Sequence, residues 1–197
     1  MVIAIEGMDG VGKTMVSMHV HEKYGFEYIS KPLNNFYGSH SDDKEMMDAA
    51  RKIYEVESSA LRSWYIGLGN IYAIKMNSDR NIVIDRHFVS NYYWNGDANS
   101  DPVFRALIET CGKPDLTIIL YASVQERMNR IRKRNNSDPD LFDPEKYDDG
   151  LNKMLDFVEK FDIPYVLINT ENKSLDEVNK IVDNYLEEIT IKPRIRK

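Results

Sequence analysis

Short apolar runs alternate along the chain with longer segments in which apolar residues recur every three or four positions. The short runs, rich in branched and aromatic side chains, predict five strands, over residues 2–6, 26–30, 82–85, 116–121 and 165–169. The longer segments predict helices over residues 13–24, 44–76, 103–111, 124–134, 144–160 and 175–188. Strands that are apolar throughout are typical of a parallel sheet buried on both faces. We therefore predict a three-layer α/β fold, a five-stranded, mostly parallel sheet flanked by helices, with functional residues at the carboxyl ends of the strands.

Composition and charge narrow the class of protein. The chain has 197 residues, of which 42% are hydrophobic and 29% charged, so we expect one domain spanning residues 1–197. A formal net charge of −6 argues against a general nucleic-acid-binding role. No apolar run approaches the roughly 18 residues needed to cross a bilayer, and the N-terminus does not resemble a targeting signal. Cys111 is the only cysteine, which excludes a disulfide within the chain, and we expect a cytoplasmic protein with no membrane partner.

The segment directly after the first predicted strand carries a phosphate-binding motif. Residues 7–14 read GMDGVGKT, a complete match to G-x-x-x-x-G-K-[ST] between a strand and a helix. In such a loop the glycines turn backbone N–H groups towards phosphate oxygens, the lysine reaches the β- and γ-phosphates, and the hydroxyl ligates Mg²⁺. We therefore expect ATP or GTP to bind at a loop that comprises Gly7, Asp9, Gly10, Val11, Gly12, Lys13 and Thr14.

The end of the third predicted strand offers groups for a phosphoryl acceptor. Asp85 would hold Mg²⁺ through water, and Arg86 would clamp an anionic acceptor with two parallel hydrogen bonds. Residues 88–96 read FVSNYYWNG, and their aromatic rings and amides are suited to stack on a base and bind its edge. The residues alone leave two simpler interpretations open, a surface ion pair and a buried helix.

Taken in order, these segments resemble the thymidylate kinases, a family of P-loop nucleoside and nucleoside monophosphate kinases. The resemblance rests on residues 5–14, on the Asp85-Arg86-His87 triplet with Ser90, and on residues 95–96, 113–117 and 130–134. It implies a P-loop kinase of nucleotide biosynthesis that uses ATP and Mg²⁺ and forms a homodimer. The expected contact is the long helix that contains Leu61, Trp64, Tyr65 and Leu68. The reaction that the resemblance implies is the phosphorylation of dTMP to dTDP.

The same resemblance implies roles for individual residues. Lys13, Asp85 and Arg86 would be catalytic, Thr14 and Asp85 would hold the metal, and Asp9 and Arg86 would contact the acceptor. The base pocket would comprise Ser90, Tyr93 and Asn95, and Trp64 and Asn70 would also bind the substrate. Asn95 stands where the family usually has a glutamine, and Asn70 where it has an arginine.

A basic segment follows the fourth predicted strand. Arg127, Arg130 and Arg134 are spaced to share one helix face. From the resemblance we expect this face to lie towards the nucleotide. The phosphate loop contains no arginine, so Arg130 and Arg134 become candidates for binding ATP and for stabilising the transition-state charge. The polar residues that follow, about 135–143, resemble the family's mobile lid. The simpler alternative is a solvated basic face paired with Asp138, Asp140 and Asp143.

One departure from the family bears on the acceptor. Lys31 precedes Pro32 where the family commonly has an acidic residue. A kinase that phosphorylates a nucleoside needs a base at about this place to take the proton of the 5′-hydroxyl, whereas a monophosphate is already anionic. The lysine therefore favours a monophosphate acceptor. Two alternatives stay open: a deoxynucleoside kinase, and a nucleotide-binding protein whose acceptor activity is lost or changed.

Overall fold

The five predicted strands form one sheet. The computed structural model describes residues 1–37, 44–142 and 150–191. Its strands are β1 (Val2–Glu6), β2 (Glu27–Ser30), β3 (Ile82–Asp85), β4 (Leu116–Tyr121) and β5 (Tyr165–Asn169). They lie in the order β2-β3-β1-β4-β5, and each neighbouring pair is parallel. The predicted α/β class and sheet are confirmed, and within the described residues the sheet has no antiparallel strand.

Nine helices connect or flank these strands in the described parts of the chain. They are α1 (Lys13–Tyr24), α2 (Pro32–Phe36), α3 (Lys44–Glu55), α4 (Ser59–Met76), α5 (Phe88–Asn95), α6 (Asp101–Cys111), α7 (Val124–Arg134), α8 (Leu151–Lys160) and α9 (Leu175–Ile191). The predicted helix over residues 44–76 is wrong as a single element. The chain leaves the helix after Glu55, and the Ser58 side chain accepts a hydrogen bond from the Leu61 N–H at 3.2 Å, which caps a new helix.

Helices cover both faces of the sheet, as a three-layer fold requires. On one face, Val16 of α1 and Val182 of α9 belong to the same buried cluster as Ile3 and Ile118. On the other face, the aromatic rings of α5, α6 and α8 surround Ile119, the next residue of β4. Successive residues of a strand point to opposite faces, so β4 has to be apolar at every position.

The packing of α2 on α4 depends on a glycine. A Cβ atom built on Gly69 would lie 2.3 Å from the backbone nitrogen of Leu33 and 2.7 Å from the carbonyl carbon of Pro32. The backbone of α2 therefore packs directly on α4 at Gly69. A larger residue at position 69 would prevent this contact. This contact fixes the segment that follows β2.

The topology places β1 at the centre of the sheet, between β3 and β4. Ile5 is in register with Asp85, and Glu6 with Ile119, so the loops that follow these strands emerge at the same edge. In the described residues no helix is long and apolar enough to cross a membrane.

Helices α1 and α9 are joined by a polar cluster around Asp183. The carboxylate of Asp183 accepts hydrogen bonds from Lys23 at 2.8 Å and Tyr24 at 2.8 Å, and it lies 2.7 Å from His19 Nε2. Burial raises the pKa of this carboxyl, but the hydrogen bonds from Lys23, His19 and Tyr24 lower it by more in sum, so the pKa lies below 3.8. The charged form of Asp183 thus stabilises the folded state.

We expect Asp183→Asn to lower the free energy of unfolding by about 1.5–3 kcal/mol at neutral pH, because it removes the charge that these donors share. The folded-state pKa of Asp183 is depressed, so its contribution is present above the unfolded pKa and is lost as the pH falls through the folded pKa. The difference between variant and wild type should therefore shrink below about pH 4 in urea unfolding curves. Glu187→Gln, an exposed change on the same helix, is the control. A pH-independent difference would contradict this account.

Candidate active site

The phosphate-binding loop after β1 has the backbone that its sequence predicts. Gly7, Gly10 and Gly12 all have φ in the left-handed region, between 86° and 132°. A Cβ atom would lie 2.2 Å from the Leu120 carbonyl oxygen at Gly7 and 2.7 Å from the Arg127 carbonyl oxygen at Gly10. Both glycines are therefore required by close approach as well as by φ. The loop curls back over its own lysine, and Lys13 Nζ donates a hydrogen bond to the Met8 carbonyl at 2.8 Å.

Lys13 is buried in this loop. Burial, reinforced by the positive charge of Arg86, lowers the pKa of Lys13 to about 7, although Asp9, Asp85 and Glu6 act in the opposite direction. The nearest carboxylate, that of Asp9, lies 3.8 Å from Lys13 Nζ. An anion in the loop would offset this burial and the charge of Arg86, so phosphate binding and the protonation of Lys13 favour each other.

Thr14 and Asp85 form a pair that suits a magnesium ion. The Thr14 hydroxyl donates to Asp85 Oδ2 at 2.8 Å, and the other carboxylate oxygen, Oδ1, is buried without a hydrogen-bond partner. In the described residues no cluster of three or more His, Cys, Asp or Glu side chains could hold a metal ion. Mg²⁺ commonly takes only one or two protein oxygens and completes its shell with phosphates and water, so this pair fits it.

Arg86 lies one residue beyond the end of β3. Its backbone adopts a left-handed conformation with φ of 72°, and its N–H donates to the Ile5 carbonyl at 3.0 Å. The guanidinium forms an ion pair with the Asp9 carboxylate. A guanidinium has five N–H donors, so Arg86 can keep Asp9 and still bind the oxygens of a phosphate.

Two cavities meet at this edge of the sheet. The larger, of about 790 Å³, is lined by the phosphate-binding loop together with Asp85, Arg86, Arg130 and Arg134, and we term it the phosphate cavity. The smaller, of about 340 Å³, lies between α2, α4 and α5, and we term it the acceptor cavity. Lys31 and Arg86 line both cavities. The arrangement brings an anion site and a pocket for a small molecule side by side.

The acceptor cavity contains several of the predicted substrate-binding residues. Ser90, Asn95 and Asn70 all line it. The Asn95 amide accepts from Tyr54 Oη at 3.0 Å and donates to Asn91 at 3.1 Å, whereas the Ser90 hydroxyl donates to the Glu6 carboxylate. The Nδ2 group of Asn70 is buried and has no hydrogen-bond partner.

Trp64 and Tyr93 lie outside both cavity linings, contrary to the prediction. Trp64 is 44% exposed on the outer face of α4, because the inner face carries Tyr65 and Asn70. Tyr93 is buried on the far side of α5, where a Cβ atom on Gly150 would lie 3.0 Å from its ring. The sequence shows the helical spacing of these residues, but it does not show which face of each helix meets the cavity.

The basic helix α7 divides its arginines between two environments. Arg130 and Arg134 line the phosphate cavity. Arg130 donates to the Thr170 carbonyl at 2.7 Å and Arg134 to Asp138 at 2.7 Å. Arg127 is fully buried, with Nη1 3.4 Å from the Asp9 carbonyl oxygen, so it supports the phosphate-binding loop. The prediction that Arg127 faces the nucleotide is therefore wrong.

Most of the predicted lid, residues 135–142, belongs to the described chain, and residue 143 lies outside it. Its 3₁₀ turn, Pro139–Leu141, packs onto α7 through Leu141, which joins the cluster of Met128 and Ile131. Asp140 of the same turn lines the phosphate cavity. One residue of the predicted lid therefore borders the phosphate cavity, and the lid itself stays a prediction.

Several residues that line the acceptor cavity were not individually assigned to the site from the sequence, namely Tyr54, Tyr65, Asn91 and Trp94. Lys31, which the sequence placed near the acceptor, lines both cavities. His87 also lines the acceptor cavity, and burial lowers its pKa to about 3, so its imidazole is neutral. The interleaved aromatic and amide residues of α5 were the available signal for Asn91 and Trp94.

Comparisons with known proteins agree with this geometry. The sequence model of the thymidylate kinase family matches residues 5–182. The chain belongs to the thymidylate kinase family. The probable thymidylate kinase of Methanococcus aeolicus is 30% identical over 190 residues, covering 90% of this chain and 91% of the relative. That of Archaeoglobus fulgidus is 26% identical over 196 residues, covering 94% and 96%.

Among solved structures, deoxyadenosine kinase from M. mycoides with bound dATP has the same fold. It superposes with a TM-score of 0.63 at 21% identity, covering 95% of this chain and all of that chain. The same enzyme with bound dCTP gives a TM-score of 0.58 at 20% identity. As a member of the thymidylate kinase family, the chain is an enzyme of the nucleoside monophosphate kinase class, and it phosphorylates a nucleotide.

The lowered pKa of Lys13 predicts that nucleotide binding takes up a proton. The lysine must be charged to bind phosphate, so at pH 8 we expect uptake of about one proton per nucleotide, and much less at pH 6. Calorimetric titration with ATP in buffers of different ionisation enthalpy measures this number. Lys13→Arg, whose guanidinium does not titrate, is the control and should show no uptake at pH 8. Equal uptake by both proteins would contradict the assignment.

Proposed function

We propose that the enzyme transfers the γ-phosphoryl group of ATP to dTMP and forms dTDP. The observation that carries this proposal is the shared wall between the two cavities, where Arg86 borders both the phosphate-binding loop and the acceptor cavity. A phosphate on the acceptor would lie at Arg86, and the rest of the acceptor would occupy the smaller cavity. The described lining of the acceptor cavity contains no Asp or Glu. The carboxylates at the junction with the phosphate cavity, Asp9 and Asp85, are engaged by Arg86 and Thr14. A nucleoside 5′-hydroxyl in the acceptor cavity would therefore find no carboxylate base within its lining, which favours a monophosphate.

The lining of the acceptor cavity supports a pyrimidine base. Its walls combine the rings of Tyr54, Tyr65 and Trp94 with amide groups, which suits a flat base with polar edges. The buried Nδ2 of Asn70 is a hydrogen-bond donor without a partner, and a carbonyl oxygen of thymine would satisfy it. An unpaired buried donor is costly, so the bound base would remove that cost.

The reaction needs charge neutralisation and positioning rather than covalent chemistry by the protein. Lys13 and the backbone of residues 9–14 hold the β- and γ-phosphates, and Arg86 holds the acceptor phosphate in line with the γ-phosphate. Thr14 and Asp85 would hold Mg²⁺, which when bound neutralises charge on the transferring phosphates. Arg130 and Arg134 line the same cavity and supply further positive charge. The segment of residues 135–142, which borders the cavity through Asp140, would exclude water as a lid.

The proposed assembly is a homodimer through α4. Leu61, Trp64 and Leu68 follow each other at spacings of three and four residues and are between 37% and 44% exposed. Large apolar side chains in one stripe on a helix surface are typical of a helix that packs against a partner.

Acceptor identity is tested by ADP release with ATP and Mg²⁺. The panel contains thymidine, deoxyuridine, deoxycytidine and deoxyguanosine, each as the nucleoside and as the 5′-monophosphate. We expect dTMP to be the best acceptor and the nucleosides to be inactive. Faster turnover of a nucleoside would identify a deoxynucleoside kinase. Nucleotide binding without turnover of any acceptor would identify a protein that has lost or changed this activity.

The role of Arg86 predicts a selective loss. We expect Arg86→Ala to reduce kcat/KM for dTMP roughly 100- to 1,000-fold, because it removes preorganised positive charge from the transferred phosphates. The dissociation constant for ATP, measured by calorimetry, should stay within about threefold, since Lys13 and the loop backbone remain. Arg80→Ala is the matched control, because Arg80 is exposed and precedes β3 at the opposite edge of the sheet. A near-normal rate for Arg86→Ala would refute the proposed role.

A further inference from the structure

Two neighbouring strands end in the same way at the junction of the two cavities. Ser30 of β2 is in register with Asp85 of β3, and each is the last residue of its strand. The residue that follows each strand is a cation, Lys31 after β2 and Arg86 after β3. Both have left-handed backbones, with φ of 44° and 72°. They are the two residues that line both cavities.

The left-handed conformation of Lys31 is unfavourable for a residue with a Cβ atom, and the surrounding backbone maintains it. Its N–H donates to the Asp85 carbonyl at 3.3 Å, and its own carbonyl accepts from the Asn34 N–H at 2.9 Å. Pro32, which follows, begins α2 and is buried. The bend turns the chain away from the strand direction, so the Lys31 side chain borders the space between the cavities.

The two cations differ in what neutralises them. Arg86 forms an ion pair with Asp9. Lys31 is exposed, and within the described parts of the chain its ammonium has neither an ion pair nor a hydrogen bond to the protein. The described lining of the acceptor cavity contains no carboxylate. The phosphate cavity, which Lys31 also lines, contains Asp9 and Asp85, but Asp9 is paired with Arg86 and Asp85 accepts from Thr14. Its third carboxylate, that of Asp140, forms no ion pair with Lys31. A positive charge without a counter-charge, at the point where an acceptor phosphate must lie, favours an anion there.

We propose that Lys31 binds the acceptor's phosphate together with Arg86 and sets the preference for a 5′-monophosphate over the corresponding nucleoside. This inference rests on the proposed function and adds a residue to its site. In the transfer, an acceptor phosphate oxygen forms the new bond to the γ-phosphorus. The bond between that phosphorus and the β–γ bridging oxygen breaks, and ADP leaves with the electron pair. No proton needs to be removed, so a cation at this position is compatible with the reaction.

A nucleoside acceptor would need the opposite chemistry. Its 5′-hydroxyl has to lose a proton, which an ammonium group cannot accept. Lys31 therefore acts in two ways: it reduces the repulsion between the acceptor phosphate and the γ-phosphate, and it offers no base to a hydroxyl. Its contribution is specific for the phosphate and should not extend to the sugar or the base.

The binding test compares dTMP with thymidine, whose only difference is the phosphate. We expect Lys31→Met, which preserves side-chain length and backbone preference, to weaken dTMP binding roughly 10- to 100-fold in calorimetric titrations. Thymidine binding should change by less than about threefold, because thymidine has no phosphate to lose. Lys31→Arg should restore most of the dTMP affinity, since it keeps the charge. Lys75→Met, which changes an exposed lysine in the last turn of α4, is the matched control.

Binding and turnover together separate this inference from the proposed function. A wild-type enzyme that phosphorylates dTMP, with an equal loss of dTMP and thymidine affinity or no loss in Lys31→Met, would overturn the role of Lys31 and leave the function standing. A wild-type protein that does not phosphorylate dTMP, but whose preference for dTMP over thymidine disappears in Lys31→Met, would overturn the function and support Lys31 as a phosphate ligand. Equal affinity of the wild type for dTMP and thymidine would overturn the inference.

Discussion

One buried carboxylate, that of Glu6, connects the two strands from which the site is built. Its Oε1 atom accepts hydrogen bonds from the backbone N–H groups of His87 at 2.9 Å and Val89 at 3.0 Å. Its Oε2 atom accepts from the Ser90 N–H at 3.2 Å and from the Ser90 hydroxyl. These are the N–H groups that the start of a helix leaves without internal partners, so Glu6 caps α5 from the end of β1.

The position of Glu6 determines what lies on each side of it. The phosphate-binding loop begins at Gly7, the residue directly after Glu6. The first N–H group that donates to Glu6 is that of His87, the residue directly after Arg86. Burial raises the pKa of Glu6, although the hydrogen bonds from Ser90 and His87 and the charge of Arg86 lower it. These hydrogen bonds offset part of the cost of burying the carboxyl group. The phosphate-binding loop and the acceptor cavity are fixed relative to each other by this contact rather than by the flexible ends of their own side chains.

Much of the fold was predictable because it depends on local patterns. Strands buried on both faces are apolar at every position, and four of the five predicted strands match the structure to the residue. The phosphate-binding loop is encoded by glycine spacing alone. The break between α3 and α4 was missed, since both sides have helical periodicity and only the capping by Ser58 separates them.

The candidate site was predictable where a residue's place follows from a strand end, as for Asp85 and Arg86. It was less predictable on helices. Trp64 was expected at the acceptor but faces outwards, because Gly67 abuts Leu107 and so sets the rotation of α4. Arg127 lies on the expected side of α7 but is buried beneath the loop, since depth depends on which neighbours cover a residue. Spacing gives the face of a helix, whereas packing decides which face meets the ligand.

The glycine at position 69 bears on how acceptor preference changes during evolution. Gly69 touches no cavity, yet it allows Pro32 and Leu33 to lie against α4, and these residues directly follow Lys31. The width of the cleft between the sheet edge and α4 is therefore set by the absence of one methyl group. A descendant of this chain that gained a side chain there would retain every residue that contacts the nucleotide and still present a different entrance to its acceptor. Acceptor preference can thus drift during evolution through a backbone contact that an inspection of the lining residues would overlook.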